Sequence, residues 1–175
     1  RDLTVDADTE LFAVWWAVSS SDFQTEMRWD AEPQDMDAHL EVYDNAENKL
    51  VAHVYFNHKT ETFEDGTVSL KTTLDVDDRN GYGPEVITID LEPDSAYEKY
   101  TFYYYINHFS GAHSSSATTA LKNSKAKVVL MQQDGTQKEY EVNTVSEGDG
   151  NSMYWNVFAI KNGEIVERNT LTDTP

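Results

Sequence analysis

Two acidic segments contain the residues whose types and spacing point most directly to chemistry. Residues 35–40 read DMDAHL, and residues 74–85 read LDVDDRNGYGPE. Carboxylates at this density repel one another unless something neutralises them. Calcium takes about six to eight oxygen ligands from carboxylates, backbone carbonyls and water, and Asp-rich strand ends beside a glycine-rich bend would supply them. The two segments therefore predict a calcium site.

Strand geometry predicts which of these carboxylates lie together. Successive side chains of a β-strand point to opposite faces, so Asp35, Asp37 and His39 share one face. Asp75 and Asp77 likewise share a face where the strand of the second segment ends. The predicted metal ligands are Asp35, Asp37, Asp75, Asp77, Asp78 and Glu85. Magnesium is less suited to this set, because it retains its waters and requires a stricter octahedron.

The second segment is not an EF-hand loop, although its acidic residues are similarly dense. Counted from Asp75, Arg79 falls at a ligand position, Asn80 at the position of the turn glycine, and Val86 at that of the closing glutamate. A calcium site must therefore be assembled from separate parts of the chain. The alternative interpretation is that these acids are solvated turn residues, with Arg79 paired to one of them.

Short β-branched and aromatic runs, interrupted by Gly, Asn, Asp and Pro, predict strands along most of the chain. The predicted strands are 11–19, 24–29, 37–43, 50–56, 68–76, 85–91, 99–107, 125–131, 138–142, 153–160 and 164–168. Turn signals at 44–48, 134–135 and 162–163 predict hairpins. About ten short antiparallel strands at this spacing favour an all-β fold, a β-sandwich or jelly roll.

One stretch, residues 108–123, does not fit this pattern because it is rich in Ser, Ala and Thr. We interpret it as a long loop with a helical turn at 117–121. We find neither an internal repeat nor a linker, and 175 residues suffice for one domain with a proper core. The prediction is a single domain over residues 1–175.

The charge of the chain limits its partners. There are 32 acidic residues against 13 basic ones, which gives a formal net charge of −19. Such a field repels nucleic acid phosphates and anionic lipid head groups, whereas it attracts cations. The chain has no cysteine, which excludes disulfides and thiolate metal sites. It also lacks an apolar run near the roughly 20 residues that a membrane helix needs.

The sequence gives little support to an enzyme. It contains neither a G-x-S-x-G nor an H-E-x-x-H motif, and its five histidines form no strong metal spacing. His39 either touches the calcium cluster indirectly or is hydrogen-bonded in a polar interior. A carboxylate pair such as Asp37 and Asp75 would need one raised pKa in an apolar pocket to hydrolyse a glycoside, and this cluster is too anionic for a single proton donor.

Aromatic residues offer a binding surface instead. Tyr103, Tyr104 and Tyr105 are consecutive in a predicted strand, so their rings must fall on both faces. Together with Tyr82 near the acidic bend, they would form an aromatic surface beside a cation, suited to a sugar or a peptide. The alternative is that all three pack internally with their hydroxyls hydrogen-bonded.

Several motifs taken in order resemble YfaP-like domains, which are poorly characterised modules of bacterial surface and secreted proteins. The motifs are MRW at 27–29, DMDAHL at 35–40, HVYF at 53–56, LDVDD at 74–78 and GYGPE at 81–85. The resemblance covers residues 27–170 and leaves out the N-terminal strands within residues 1–26. It implies an all-β sandwich in a large multidomain envelope protein, with neighbouring domains in the same polypeptide and no known reaction.

These observations predict a non-catalytic, calcium-binding module, extracellular or at the cell surface, with a structural or adhesive role. No signal peptide is visible, and the chain begins abruptly at Arg1, which suggests a module cut from a longer polypeptide. Expected partners are a glycan or a surface protein. The first alternative is a carbohydrate-binding module that uses the tyrosines beside the ion, with His39 nearby. The second is a glycan-active enzyme with paired carboxylates.

Overall fold

The computed structural model describes residues 22–113 and 119–175. The predicted strand at 11–19 and part of the loop at 114–118 lie outside these ranges. Eleven strands occur in the described ranges. They are β1 (Phe23–Arg28), β2 (Asp37–Asp44), β3 (Lys49–Val54), β4 (Thr60–Glu64), β5 (Ser69–Val76), β6 (Glu85–Glu92), β7 (Tyr100–Asn107), β8 (Lys127–Gln132), β9 (Gln137–Glu141), β10 (Tyr154–Lys161) and β11 (Glu164–Thr172).

The strands form two antiparallel sheets, so the predicted all-β sandwich is confirmed. One sheet has six strands in the order β4-β5-β6-β1-β8-β9, and the other has five in the order β11-β10-β7-β2-β3. The three predicted hairpins are present as the β2–β3, β8–β9 and β10–β11 pairs. In the last of them Asn162 and Gly163 both have positive φ, 53° and 75°, as a two-residue turn with the twist of a hairpin requires.

Strand β4 is the element that the sequence analysis missed. Its sequence, TETFE, has a single apolar residue, Phe63, which packs against the core, and the strand lies at the edge of the six-stranded sheet. An edge strand gains its stability from one ladder of hydrogen bonds and needs no apolar run.

Helices within residues 22–113 and 119–175 are few and short. The chain has an α-helix, α1, at Phe109–His113, and 3₁₀ turns at Asp94–Glu98, Leu121–Asn123 and Val142–Thr144. The helical turn expected at 117–121 begins outside the described ranges, and the structure places a turn at Leu121–Asn123 instead. None of the helices in the described ranges has the length and apolar character to cross a membrane.

Apolar side chains from both sheets fill the space between them. In β2 the core-facing residues are Ala38, Leu40 and Val42, all fully buried, so the intervening residues point outward. Tyr104 of β7 is fully buried, and its ring stacks on Phe158 with centroids 5.0 Å apart. Burial of one such large side chain stabilises the fold by roughly 1.5–3 kcal/mol.

Four strand ends meet at one end of the sandwich. In the five-stranded sheet, β2 begins at Asp37 directly opposite Asn107, the last residue of β7. In the six-stranded sheet, β5 ends at Val76 and β6 begins at Glu85, and the two strands are antiparallel neighbours. The acidic segments of the sequence therefore come together at this end.

Candidate metal centre

Three carboxylates converge at this end of the sandwich. Ligand oxygens of Asp37, Asp77 and Glu85 all lie within 4.8 Å of one another. Asp37 belongs to the five-stranded sheet, whereas Asp77 and Glu85 flank the bend between β5 and β6 of the other sheet. Asp37 is 2% exposed and Glu85 is fully buried. The cluster thus joins the two sheets through buried acidic side chains.

The bend between β5 and β6 is held by the segment that follows β1. The Trp29 N–H donates to the carbonyl of Tyr82 at 3.3 Å, and the Tyr82 N–H donates to the carbonyl of Asp30 at 3.1 Å. The Asp30 carboxylate in turn accepts from Lys125 Nζ at 2.7 Å. These contacts hold the bend in place and so position Asp77 and Glu85 at its two ends.

Gly83 is needed for this close approach. It has a φ of +76°, and a Cβ there would lie 2.9 Å from the Met27 carbonyl oxygen and 2.9 Å from the Trp29 ring. Gly135 has a similar φ of +83°, but a Cβ there would meet nothing within 4 Å. An alanine at either position would therefore be strained by the left-handed backbone conformation. At Gly83 its Cβ would also collide with neighbouring atoms.

We expect Gly83→Ala to lower the free energy of unfolding by about 1–3 kcal/mol more than Gly135→Ala does, because only the first substitution adds steric strain. Urea unfolding of both variants measures the difference. An equal decrease in the free energy of unfolding in the two variants would show that the bend can shift to fit the added methyl group and does not position the cluster.

One oxygen from each of four clustered carboxylates is buried and has no hydrogen-bond partner among the described residues. These atoms are Asp35 Oδ1, Asp37 Oδ2, Asp77 Oδ1 and Glu85 Oε1. The second oxygens of two of them are engaged: Glu85 Oε2 accepts from the Ala38 N–H, and Asp77 Oδ2 accepts from Lys59 Nζ at 2.7 Å. A buried acceptor without a partner costs free energy, so these oxygens have the properties of ligands for a cation.

Burial and the neighbouring carboxylates raise the pKa of Asp37 and of Glu85. Burial, together with the Asp35 and Asp77 carboxylates, raises the pKa of Asp37 to about 7. Burial and the Asp37 and Asp77 carboxylates raise the pKa of Glu85 to about 10, although the hydrogen bond from the Ala38 N–H acts in the opposite direction. Without a cation, protons must therefore neutralise part of the cluster at neutral pH.

Asp35 is held beside the cluster by the segment after β7. Its N–H donates to Ser110 Oγ at 3.0 Å, and its carbonyl accepts from the same hydroxyl at 2.8 Å. Burial and the Asp77 carboxylate raise the pKa of Asp35, whereas the charge of Arg79 lowers it. Asp35 is thus electrostatically coupled to the three converging carboxylates.

Three of the six predicted ligands lie outside the converging group: Asp35, which lies beside it, and Asp75 and Asp78. A β-bulge between Leu74 and Val76 interrupts the ladder with β6, and Asp75, the residue at this bulge, is exposed. The strict alternation that places Asp75 beside Asp77 therefore fails. Asp78 is half-buried, and its Oδ1 accepts from the Asn80 N–H at 2.7 Å, which stabilises the turn. The group within 4.8 Å contains neither residue.

Asn107 is a candidate ligand that the sequence analysis missed. It pairs with Asp37 across β2 and β7, so the two side chains leave the same face about 5 Å apart. Its Oδ1 is buried and has no partner among the described residues. An amide oxygen in this position is suited to calcium. The only available signal was the register between two strands 70 residues apart, which the sequence does not reveal.

The consecutive tyrosines do alternate between the faces of β7. Tyr104 lies in the core, so the suggestion that it contributes to a binding surface is wrong. Tyr105 is buried on the outer face, where its hydroxyl donates to Glu41 Oε1 at 3.1 Å. Tyr103 is half-buried, with the Arg168 guanidinium 5.1 Å from the centre of its ring. Tyr82 in the bend is 61% exposed.

His39 lies on the outer face of the five-stranded sheet among aromatic rings. It stacks on Tyr105 at 4.8 Å and on Tyr55 at 5.4 Å between centroids. Its Nδ1 is 3.0 Å from Nε2 of His53. Burial and the neighbouring His53 lower the pKa of His39 to about 3, so the imidazole is neutral at physiological pH.

Comparisons with known proteins support the fold and leave the site open. No family model matches the chain, and no curated protein matches it either. The resemblance to YfaP-like domains therefore stays a prediction. A solved structure described as "Crystal structure of unknown function protein SAV2460" is similar over 89% of this chain and 92% of that chain, with a TM-score of 0.53 and 15% identity. At that identity, the similarity shows that the two chains share a β-sandwich fold.

Proposed function

We propose that this chain is a non-catalytic, calcium-binding β-sandwich module with a structural or adhesive role in an extracellular or cell-surface protein. The observation that carries the proposal is the set of buried carboxylate oxygens without partners, which comes from both sheets. An ion among them would cross-link β2 to the β5–β6 bend. Its binding energy would then add directly to the stability of the fold.

Calcium fits this donor set better than other ions do. The donors are carboxylate oxygens, with the Asn107 amide oxygen beside them, and hard divalent cations prefer such ligands. The carboxylates come from separate strand ends and a bend, an arrangement that tolerates the irregular coordination of calcium better than the strict octahedron of magnesium. Extracellular modules bind calcium with Kd values of about 10⁻⁴–10⁻³ M, and we expect a Kd in this range here.

The carbohydrate-binding and enzymatic alternatives have less support. Of the four candidate tyrosines, Tyr104 is in the core, Tyr105 is committed to Glu41, and the ring of Tyr103 lies beneath Arg168. An enzyme would need a carboxylic acid in contact with its substrate. Glu85 has the most strongly raised pKa of the cluster, but it is fully buried.

Thermal unfolding with calcium and with chelator tests the proposal. An ion at about 100 times its Kd stabilises the folded state by about 2.7 kcal/mol. For a chain of this size, each kcal/mol raises Tm by about 2–4 °C, so we expect calcium to raise Tm by about 5–10 °C. Magnesium at the same concentration serves as the control, with a smaller rise. An unchanged Tm at 10 mM calcium would remove the calcium claim.

A further inference from the structure

A second cluster of possible metal ligands lies on the outer face of the five-stranded sheet. Ala38, Leu40, Ala52 and Val54 of β2 and β3 point into the core, so His39, Glu41 and His53 point outward. The two histidines are 14 residues apart in the chain, and the pairing of β2 with β3 brings them together. None of the ligands proposed for calcium belongs to this cluster.

The two imidazoles approach each other as two ligands of one metal ion do. His39 Nδ1 and His53 Nε2 are 3.0 Å apart. If a metal ion lay about 2.0–2.1 Å from both nitrogens, the nitrogen–metal–nitrogen angle would be about 95°. This angle is nearer the right angle of square-planar coordination than the roughly 109° of a tetrahedron, and square-planar N,O coordination is typical of copper(II) and nickel(II).

Two oxygen donors lie beside His53 Nε2. Tyr105 Oη is 3.3 Å and Glu41 Oε1 is 3.9 Å from this nitrogen. For an ion of this size, neighbouring square-planar ligands are about 2.9 Å apart and opposite ones about 4.1 Å apart. Both separations lie between these two values, and the Glu41 carboxylate is not within 4.8 Å of both imidazole nitrogens. The two imidazoles are therefore the ligands, and Glu41 contributes negative charge beside them.

The surrounding rings hold the histidines in place before any ion arrives. His39 is stacked between Tyr105 and Tyr55, and His53 also stacks on Tyr55 with centroids 4.5 Å apart. Ligands that are already ordered lose little side-chain entropy when they bind. Pre-ordering of this kind favours metal binding.

We propose that His39 and His53, with Glu41 beside them, form a site for a divalent transition-metal ion, copper(II) in preference to the others. Imidazole is a softer ligand than carboxylate, and copper(II) stands highest in the affinity order of divalent first-row metals. The inference does not depend on the calcium proposal, because the two sites use different ligands. The competing account is that the two imidazoles share a hydrogen bond and bind no metal.

Copper titration of the full chain, with calcium in excess, tests this proposal. We expect one copper(II) ion per chain and an electron paramagnetic resonance spectrum with coupling to two imidazole nitrogens. His53→Gln removes one of the two nitrogens. Since loss of a supporting group alone costs a metal site about 10–100-fold in affinity, loss of a direct ligand should cost at least as much.

His58→Gln is the matched control. His58 is exposed, and its ring lies 5.4 Å from that of Tyr55. Its replacement should leave copper affinity within about twofold. Wild-type spectra without imidazole coupling, or equal affinity in the His53→Gln variant, would overturn the proposal. An equal loss in the two variants would also overturn it, because His58 would then be a ligand. The wild-type spectrum decides the question even if His53→Gln unfolds.

Discussion

Glutamine in place of Glu85 is expected to abolish the calcium-dependent rise in Tm while it leaves Tm in chelator within a few degrees of the wild-type value. The raised pKa of Glu85, about 10, means that its carboxyl is protonated near neutral pH when no cation is bound. An amide is then nearly isosteric and equally uncharged, and its oxygen still accepts from the Ala38 N–H. Calcium needs Glu85 Oε1 without its proton, whereas in glutamine, whose oxygen stays with the Ala38 N–H, this position holds an NH₂ group that cannot bind a cation.

The expected loss of the calcium-dependent rise in Tm follows from the free energy that bound calcium adds to the folded state. If calcium at about 100 times its Kd stabilises the wild type by about 2.7 kcal/mol, loss of the site removes that amount, or about 5–10 °C in Tm. Differential scanning calorimetry in calcium and in chelator measures both values. Because the chelator melt isolates the effect on packing, a purely structural role of Glu85 would lower both melts equally.

Glu92→Gln is the matched control, since Glu92 is the exposed last residue of the same strand. It removes one negative charge from the chain and touches none of the clustered carboxylates. We expect it to retain the full calcium response. A Glu85→Gln variant that responds to calcium as strongly as Glu92→Gln would show that Glu85 is not a ligand and that the ion binds elsewhere.

The overall fold could be predicted from the sequence, because strand periodicity and turn formation depend on residues that are close together in the chain. The residues at 134–135 and 162–163 form the expected turns, and the strands around them pair as predicted. Alternation along residues 103–105 also separates Tyr104 from its neighbours, as a period of two requires. Strand β4 escaped notice because its exposed edge position leaves no apolar pattern to detect.

The details of both sites depend on features that local patterns do not encode. Asp75 was expected beside Asp77, but a bulge adds a residue at that point and breaks the alternation. The pairing of His39 with His53 depends on the register of β2 and β3, which a second bulge shifts between Val42 and Tyr43. Asn107 lies near the carboxylates only because β7 pairs with β2 in a register that places it opposite Asp37. Register and bulges are set by packing over the whole sheet, so a single sequence does not determine them.

A further expected result is that Tm in chelator falls as pH rises above about 6.5, whereas Tm in saturating calcium does not. The pKa of Asp37 is raised from 3.8 to about 7, and that of Glu85 from 4.5 to about 10. Between the ordinary and the raised values, the folded state binds more protons at these two carboxyl groups than the unfolded chain does. The lowered pKa of His39 acts in the opposite direction below about pH 6.5, so the two carboxyl groups set the sign above that pH. Stability therefore falls with rising pH. It is fully present below about pH 4 and is lost as pH passes through about 7 for Asp37 and about 10 for Glu85.

Calcium should remove this dependence, because the ion neutralises the carboxylates in place of the protons. The calcium-induced rise in Tm is then expected to be small near pH 5 and largest near pH 9. Each pH unit over which one of these groups keeps a proton only in the folded state corresponds to about 1.4 kcal/mol. Above about pH 7 ordinary carboxylates and histidines have finished titrating, so the slope there reports mainly on Glu85.

Thermal melts at unit steps from pH 5 to 9, each in calcium and in chelator, provide the measurement. Asp37→Asn supplies the internal comparison, because it removes the group that titrates near pH 7 and should flatten the chelator curve below that pH. Parallel curves in calcium and in chelator would mean that the ion does not exchange with these protons. A wild-type chelator curve that stays flat above about pH 7 would mean that the carboxylates are not crowded in solution. Divergence of the two curves with rising pH is the outcome that only a calcium ion held by Asp37 and Glu85 produces, since the protons and the ion then compete for the same oxygens.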